Sequence, residues 1–302
     1  MASPVIQAAG LVKRYGRGRD AKTALDGLDL TVDTGEVFGY LGPNGAGKTT
    51  TIRLMLDFIR PTAGDIRVFG NSPRDNAPDR KRIGYLAGDF VVNGRQTGRE
   101  LLSYLADLRG GEGAKRIDEL AERLDLDLSR RIGQLSKGNR QKIGLVQAFM
   151  HNPPLLVLDE PTSGLDPFLQ QQFIELVREA SRNGQTVFMS SHVLSEVQAT
   201  CHRVGIIRDG QLVTVANVDE LREQALRKIE LTFAGPAPGD EFSAIPELRN
   251  VTVSGNTVRA LLSGSPDTLI KAAAKHDVVG LLAEEPELEE LFFTFYQREG
   301  SK

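Results

Sequence analysis

The nine residues GPNGAGKTT, Gly42 to Thr50, constrain this chain more than any other stretch. They match G-x-x-x-x-G-K-[ST] through Gly42, Gly47, Lys48 and Thr49. The apolar run VFGYL leads into them, and TTTIRLMLDFI, with apolar residues at helical spacing, leads out. A strand that turns through glycines into a helix is the context in which this pattern has a mechanism. Around Gly42, Asn44, Gly45 and Gly47 the backbone can curl so that successive N–H groups face phosphate oxygens, and the helix N-terminus adds its positive end. Lys48 supplies a point charge for β- and γ-phosphates. Thr49 offers a hydroxyl to a divalent cation, and Thr50 one to an α-phosphate. A plain glycine turn is the bland alternative, and the strand and helix on either side disfavour it.

A second feature reinforces the first. LLVLDE, Leu155 to Glu160, is a continuous apolar run that ends in two carboxylates. Such a run suits a parallel strand buried on both faces, and ligands of parallel sheets sit at the C-terminal strand edges. Asp159 is suited to holding a magnesium ion, and Glu160 to polarising a water that attacks a γ-phosphate.

Composition removes several function classes. With 40% hydrophobic and 25% charged residues the chain is neither disordered in character nor membrane-embedded. Its formal charge of −3 argues against coating nucleic acid, and no nucleic-acid partner is expected. Cys201 is the sole cysteine, so no internal disulfide forms and a reducing compartment is expected. Cys201 and His202 are read as ordinary helix residues, and the four histidines show no metal-site spacing. The N-terminus lacks a signal-peptide pattern, and no apolar run approaches the ~18 residues of a membrane span.

Along the chain, residues 5–216 alternate strand-like and helix-like segments. VIQAAGLVKRYG and LDGLDLTVDTGEVFGYLG have the period-two pattern of an antiparallel sheet. Residues 90–152 are mainly helical in pattern, through GRELLSYLADLRG, KRIDELAERLDL and GNRQKIGLVQAFMHN. TVFMSSH reads as another buried strand, and RVGIIRDGQLVTV as a hairpin about Asp209 and Gly210. Residues 217–228 read as a linking helix, and 229–302 as a small α+β domain with a looped PAPGDEFSAIPE and a last helix in PELEELFFTFYQRE.

The ordered set GPNGAGKTT, LSKGNRQ, LLVLDEPTSGLD and VFMSSH resembles the ATP-binding cassette (ABC) family over residues 5–216. The resemblance implies an α/β fold of P-loop NTPase type, with an antiparallel β-subdomain, a helical subdomain over about 90–152 and, here, a C-terminal accessory domain. It implies ATP and Mg²⁺ as cofactors, and a membrane permease and a second copy of the chain as partners, at the cytoplasmic face of the membrane. Two cassettes of this family pair head to tail. Ser136 and Gly138 would then meet the γ-phosphate bound by the partner, and Asp166 would work across the interface. By itself Ser136 reads as a simple N-cap. Tyr15, in KRYG, matches the aromatic that stacks on adenine, and His192 the histidine that contacts the γ-phosphate and steadies Glu160.

Two departures from the family pattern stand out. After the strand in RIGYLAGDF the family usually has a Gln that helps bind Mg²⁺ and water; here Gly88 stands there, with Asp89 next as a substitute oxygen ligand. The signature has Lys137 for Gly and Asn139 for Gln. SKGNRQK and the ending PELEELFFTFY resemble the drug- and antibiotic-export branch. The competing expectations are a soluble ABC ATPase acting on the ribosome or DNA, disfavoured by the single phosphate loop and absent heptads, and an importer cassette.

Overall fold

The computed structural model describes residues 4–224 and 226–284. The chain divides into two compact units, Met1–Ala216 and Asn217–Lys302. The first unit holds two sheets. β1 (Pro4–Tyr15), β2 (Lys22–Asp33) and β4 (Ala63–Val68) form an antiparallel sheet in the order β2-β1-β4. The six-stranded sheet takes β3 (Val37–Leu41), β5 (Ile83–Leu86), β6 (Leu155–Asp159), β7 (Thr186–Ser191), β8 (Arg203–Arg208) and β9 (Gln211–Asn217), in the order β5-β6-β7-β3-β8-β9. Its first five strands pair in parallel.

Every residue of β3, β6 and β7 is buried, which explains why these strands read as continuous rather than alternating apolar runs. Phe38 and Phe188 stack at 5.9 Å between ring centroids, with Tyr40 tilted against Phe188 at 5.3 Å. Burial pushes the Tyr40 phenol well up, and its hydroxyl stays paired with Thr51 Oγ1 at 3.3 Å. The turn between β8 and β9 has positive φ at both Asp209 (50°) and Gly210 (80°), the geometry of a two-residue hairpin.

Around the parallel sheet lie α1 (Lys48–Met55), α2 (Gly98–Leu108), α3 (Ile117–Arg123), α4 (Lys137–Phe149), α5 (Pro167–Arg182) and α6 (Leu194–Thr200). α2 starts with a full capping box: Thr97 accepts from the Glu100 N–H, and the Glu100 carboxylate accepts from the Thr97 N–H. Cys201 and His202 do not lie within a helix. Cys201 caps α6 at its C-terminus and is buried, and His202 follows it, its Nδ1 accepting the Val37 N–H at 3.1 Å. The helix ends there because the chain must enter β8, at Arg203.

β5 packs against α4 so closely that position 84 has no room for a side chain. A Cβ there would lie 2.2 Å from the Ala148 carbonyl oxygen and 2.7 Å from Pro153. Gly84→Ala is therefore expected to destabilise the first unit by about 3 kcal/mol or more, the upper range for overpacking, because backbone cannot yield as a side-chain tip can. Urea unfolding followed by circular dichroism measures this, and a midpoint unchanged from wild type would contradict the contact.

The second unit is α+β. β10 (Arg227–Phe233), β11 (Leu248–Ser254), β12 (Thr257–Leu262) and β13 (Val278–Ala283) form an antiparallel sheet in the order β11-β12-β10-β13. The helices are α7 (Val218–Gln224), α8 (Gly239–Ser243) and α9 (Asp267–Ala273). Leu231, Phe233, Phe242, Val258 and Leu262 make its core. Two sequence expectations change here. The linking helix is shorter than residues 217–228, because Arg227 and Lys228 already pair with β12. PAPGDEFSAIPE, expected as loop, contains α8, since Phe242 and Ile245 are buried and pull the segment onto the sheet. The helix expected in PELEELFFTFYQRE lies outside the described residues.

Candidate functional site

Strand order assembles the site. β6, β7 and β3 are consecutive neighbours, so three loops that are far apart in sequence leave the sheet side by side. The phosphate loop follows β3, Asp159 ends β6 with Glu160 next, and His192 follows β7.

The phosphate loop enters α1 through Gly47, whose φ of 115° no other residue adopts comfortably. A Cβ at Gly47 would also lie 2.7 Å from the Ala24 carbonyl oxygen. Lys48, 5% exposed, folds back beneath the loop, its ammonium donating to the carbonyl oxygens of Gly42 at 2.6 Å and Pro43 at 3.3 Å. The same ammonium lies 3.1 Å from Glu160 Oε1. Beside it opens a cleft of about 340 Å³ lined by Tyr15, Lys22, Asn44, Gly45, Thr49 and Thr50 together with Lys48 and Glu160. The Tyr15 hydroxyl lies 3.5 Å from Thr50 Oγ1, and the Lys13 ammonium 5.2 Å from the Tyr15 ring centroid.

Glu160 has φ of 47°, left-handed for a residue with a side chain. Strain of this kind persists where surrounding contacts enforce it. Here the Glu160 N–H donates to Ser190 at both its carbonyl oxygen (3.2 Å) and Oγ (3.0 Å), and the Glu160 carbonyl accepts from the Ser163 N–H at 3.1 Å. The carboxylate is thereby held between Lys48 and His192, with His192 Nδ1 donating to Oε2 at 2.5 Å.

Asp159 is 3% exposed and accepts from Ser190 Oγ at 2.5 Å. Burial, and after it the Asp159 charge, push the Tyr85 phenol up to about 12, so Tyr85 stays neutral beside the carboxylate. Gly88 does reach this carboxylate: a Cβ on it would lie 3.2 Å from the Asp159 carbonyl oxygen and 3.6 Å from Cγ. Asp89 is the next residue. It lines a separate hollow of about 210 Å³ with Phe90, Val91, Lys137, Arg140 and Gln141, and is absent from the residues lining the Thr49–Glu160 cleft.

Ser136, Gly138 and Asp166 are likewise apart from that cleft. Ser136 caps α4, accepting from the Asn139 N–H at 3.2 Å, and Asp166 caps α5, accepting from the Leu169 N–H at 3.0 Å. Gly138 is pressed on the Asp166 loop, since a Cβ there would lie 2.8 Å from the Gly164 carbonyl oxygen. Motif reading missed several residues that organise the site: Ser190, Ser191, Thr162, Gln141 and Glu196. The two serines sit in the VFMSSH motif, whose histidine drew the attention. No group of three or more His, Cys, Asp or Glu able to hold a metal occurs among the described residues.

The family model for ABC transporters matches residues 25–163. The bacitracin transport ATP-binding protein BcrA of Bacillus licheniformis is 36% identical over 236 residues, 77% of this chain and 76% of its own. The chain belongs to the ABC transporter family. Similarity to one ABC relative extends through both units: the linearmycin resistance ATP-binding protein LnrL of Bacillus subtilis (strain 168) is 31% identical over 311 aligned positions, 97% of this chain and 99% of the relative. A solved structure titled "Structure of ATP binding subunit of ABC transporter" superposes with a TM-score of 0.65 at 29% identity, covering 72% of this chain and 92% of that one. As an ABC ATP-binding subunit the chain is an ATPase, and no helix among its described residues is long and apolar enough to cross a membrane.

Proposed function

We propose that this ABC subunit hydrolyses ATP to drive a membrane exporter of drug- or antibiotic-like molecules, docked on a permease at the cytoplasmic face of the membrane. The observation that carries the catalytic part is the Lys48–Glu160–His192 chain of contacts at the mouths of three neighbouring strands. The export part is supported by relatives whose names specify bacitracin transport and linearmycin resistance.

ATP would lie with its adenine on Tyr15 and its phosphates in the turn from Gly42 to Thr50, with Asn44, Gly45 and Gly47 presenting N–H groups. Lys48 would exchange its contact with Glu160 for the β- and γ-phosphates. Glu160, released on one side and still held by His192 on the other, would orient the attacking water and accept its proton. With Nδ1 donating to Glu160, Nε2 would donate to the γ-phosphate when the ring carries a proton on both nitrogens. The Thr49 hydroxyl and the Asp159 carboxylate are oxygen donors suited to Mg²⁺, a cation that keeps water ligands and needs few protein ones. When bound, Mg²⁺ would neutralise phosphate charge. Asp89, next to Gly88, is proposed as a further oxygen ligand in place of the missing Gln.

The site is also proposed to be half a site. Ser136 and the backbone at Gly138 start α4, and with Asp166 they would meet the nucleotide held by a second copy. Lys137 adds positive charge there. Since activity then needs two chains, ATPase rate is expected to rise faster than linearly with protein concentration in dilute solution, approaching second order. A strictly proportional rate from a verified monomer would remove the shared site. The second unit is proposed as an accessory domain. Affinity purification from detergent-solubilised membranes tests the exporter reading: a polytopic membrane protein at fixed ratio supports it, and recovery only with ribosomes or nucleic acid overturns it.

A further inference from the structure

We infer that the buried carboxylate of Glu196 is a positioning residue that locks the His192 loop to the loop carrying Asp166, so that the two move as one piece during turnover. The inference rests on the ATPase site proposed above and assigns a role to a residue outside every nucleotide motif.

Glu196 lies in α6, four residues after His192, and is 8% exposed. Each of its oxygens accepts a hydroxyl from a different segment, one from the loop after β6 and one from the end of β7. Oε1 accepts from Thr162 Oγ1, and Oε2 accepts from Ser191 Oγ at 2.9 Å. Ser191 immediately precedes His192, and its hydroxyl oxygen also accepts the Val193 N–H at 2.9 Å. The residues on both sides of His192 are thus tied to one carboxylate. Thr162 lies two residues after Glu160, and its carbonyl accepts the Leu165 N–H at 3.0 Å, which closes the turn leading to Asp166. From the other side α4 holds the same loop, with Gln141 Nε2 donating to the Pro161 carbonyl at 3.2 Å.

Burying a carboxylate is costly, and an apolar residue would pack α6 against the sheet at lower cost. Two hydroxyl donors offset that cost with charge-assisted bonds. Neither donor belongs to α6: Ser191 ends β7 directly before His192, and Thr162 stands in the loop of Asp166. A carboxylate whose bonds all run to two nucleotide-handling loops holds those loops in register. His192 would then report the γ-phosphate on its own chain through Glu196 to the segment that faces the second copy.

The test is steady-state ATPase with ATP affinity measured in parallel on the full-length chain. Glu196→Ala should lower kcat about 30-fold while ATP affinity stays within about twofold, because the phosphate turn is untouched. Glu196→Gln, whose amide can accept from one hydroxyl and donate to the other, should hold kcat within about threefold of wild type. Thr162→Val and Ser191→Ala each cut one arm and should cost about tenfold, with the double variant no worse than either, because the bridge is already broken. Wild-type kcat in Glu196→Ala, an equal loss in ATP affinity, or arms whose effects multiply would each overturn the bridge. If Glu196→Ala fails to fold, the Thr162 and Ser191 cycle decides alone. Glu160→Gln run alongside separates the two levels. Wild-type turnover there sinks the site assignment, whereas an inactive Glu160→Gln beside an unimpaired Glu196→Ala sinks only the bridge.

Discussion

Glu160→Gln is expected to lower ATP turnover on the order of 10³-fold while ATP affinity is kept or improved. The loss follows from the proton: a carboxylate that orients a water and accepts its proton is worth about 10²- to 10⁴-fold, and an amide of the same shape cannot accept it. The retained affinity follows from Lys48. In the protein its ammonium is shared among the Gly42 and Pro43 carbonyls and Glu160 Oε1. A phosphate must displace the Glu160 contact, and a neutral amide gives it up more readily than a carboxylate does. The ATP-bound dimer should therefore accumulate, visible by size exclusion with ATP. Wild-type turnover in this variant would show that the polarising group lies elsewhere.

Lys48→Ala is expected to fail one step earlier. A cation a few ångströms from a phosphate is worth several kcal/mol even at an effective dielectric near 20, so ATP affinity should fall about 10²-fold or more. Turnover should fall to background, and the dimer should not form with ATP. Lys48→Arg should not rescue it, since the planar guanidinium does not fit the space under the turn where the Gly42 carbonyl lies 2.6 Å from the ammonium. Calorimetric titration with a slowly hydrolysed ATP analogue measures the effect. Together the two variants separate binding from chemistry: Glu160→Gln binds without turnover, and Lys48→Ala does neither. Unaltered affinity in Lys48→Ala would overturn the placement of the phosphates.

The phosphate turn, the acidic strand end and the histidine after β7 were legible because each is a local device. A glycine needed at φ of 115°, a lysine one position on and a buried strand that ends in carboxylates are written in consecutive residues. The departure at Gly88 was legible for the same reason, and it does lie against Asp159. The surroundings of the substitute offered for the missing Gln were not: adjacency in sequence does not say what Asp89 meets after β5, and it lines a hollow with Lys137 and Arg140. The loop expected over PAPGDEFSAIPE is corrected by α8. Its Pro and Gly content is a local signal, and burial of Phe242 in the second core outweighs it.

What the chain's sequence determined by itself is the chemistry available: a glycine turn and lysine suited to phosphate, carboxylates at the end of β6, and Ser136 as the cap of α4. What only the tertiary structure decided is which groups meet. The order β6-β7-β3 brings Lys48, Glu160 and His192 into one line of contacts, and Glu196 joins two loops through Thr162 and Ser191. Those pairings are set by sheet register and burial, which act between residues as far apart in sequence as Lys48 and Glu160, and no single local pattern encodes them.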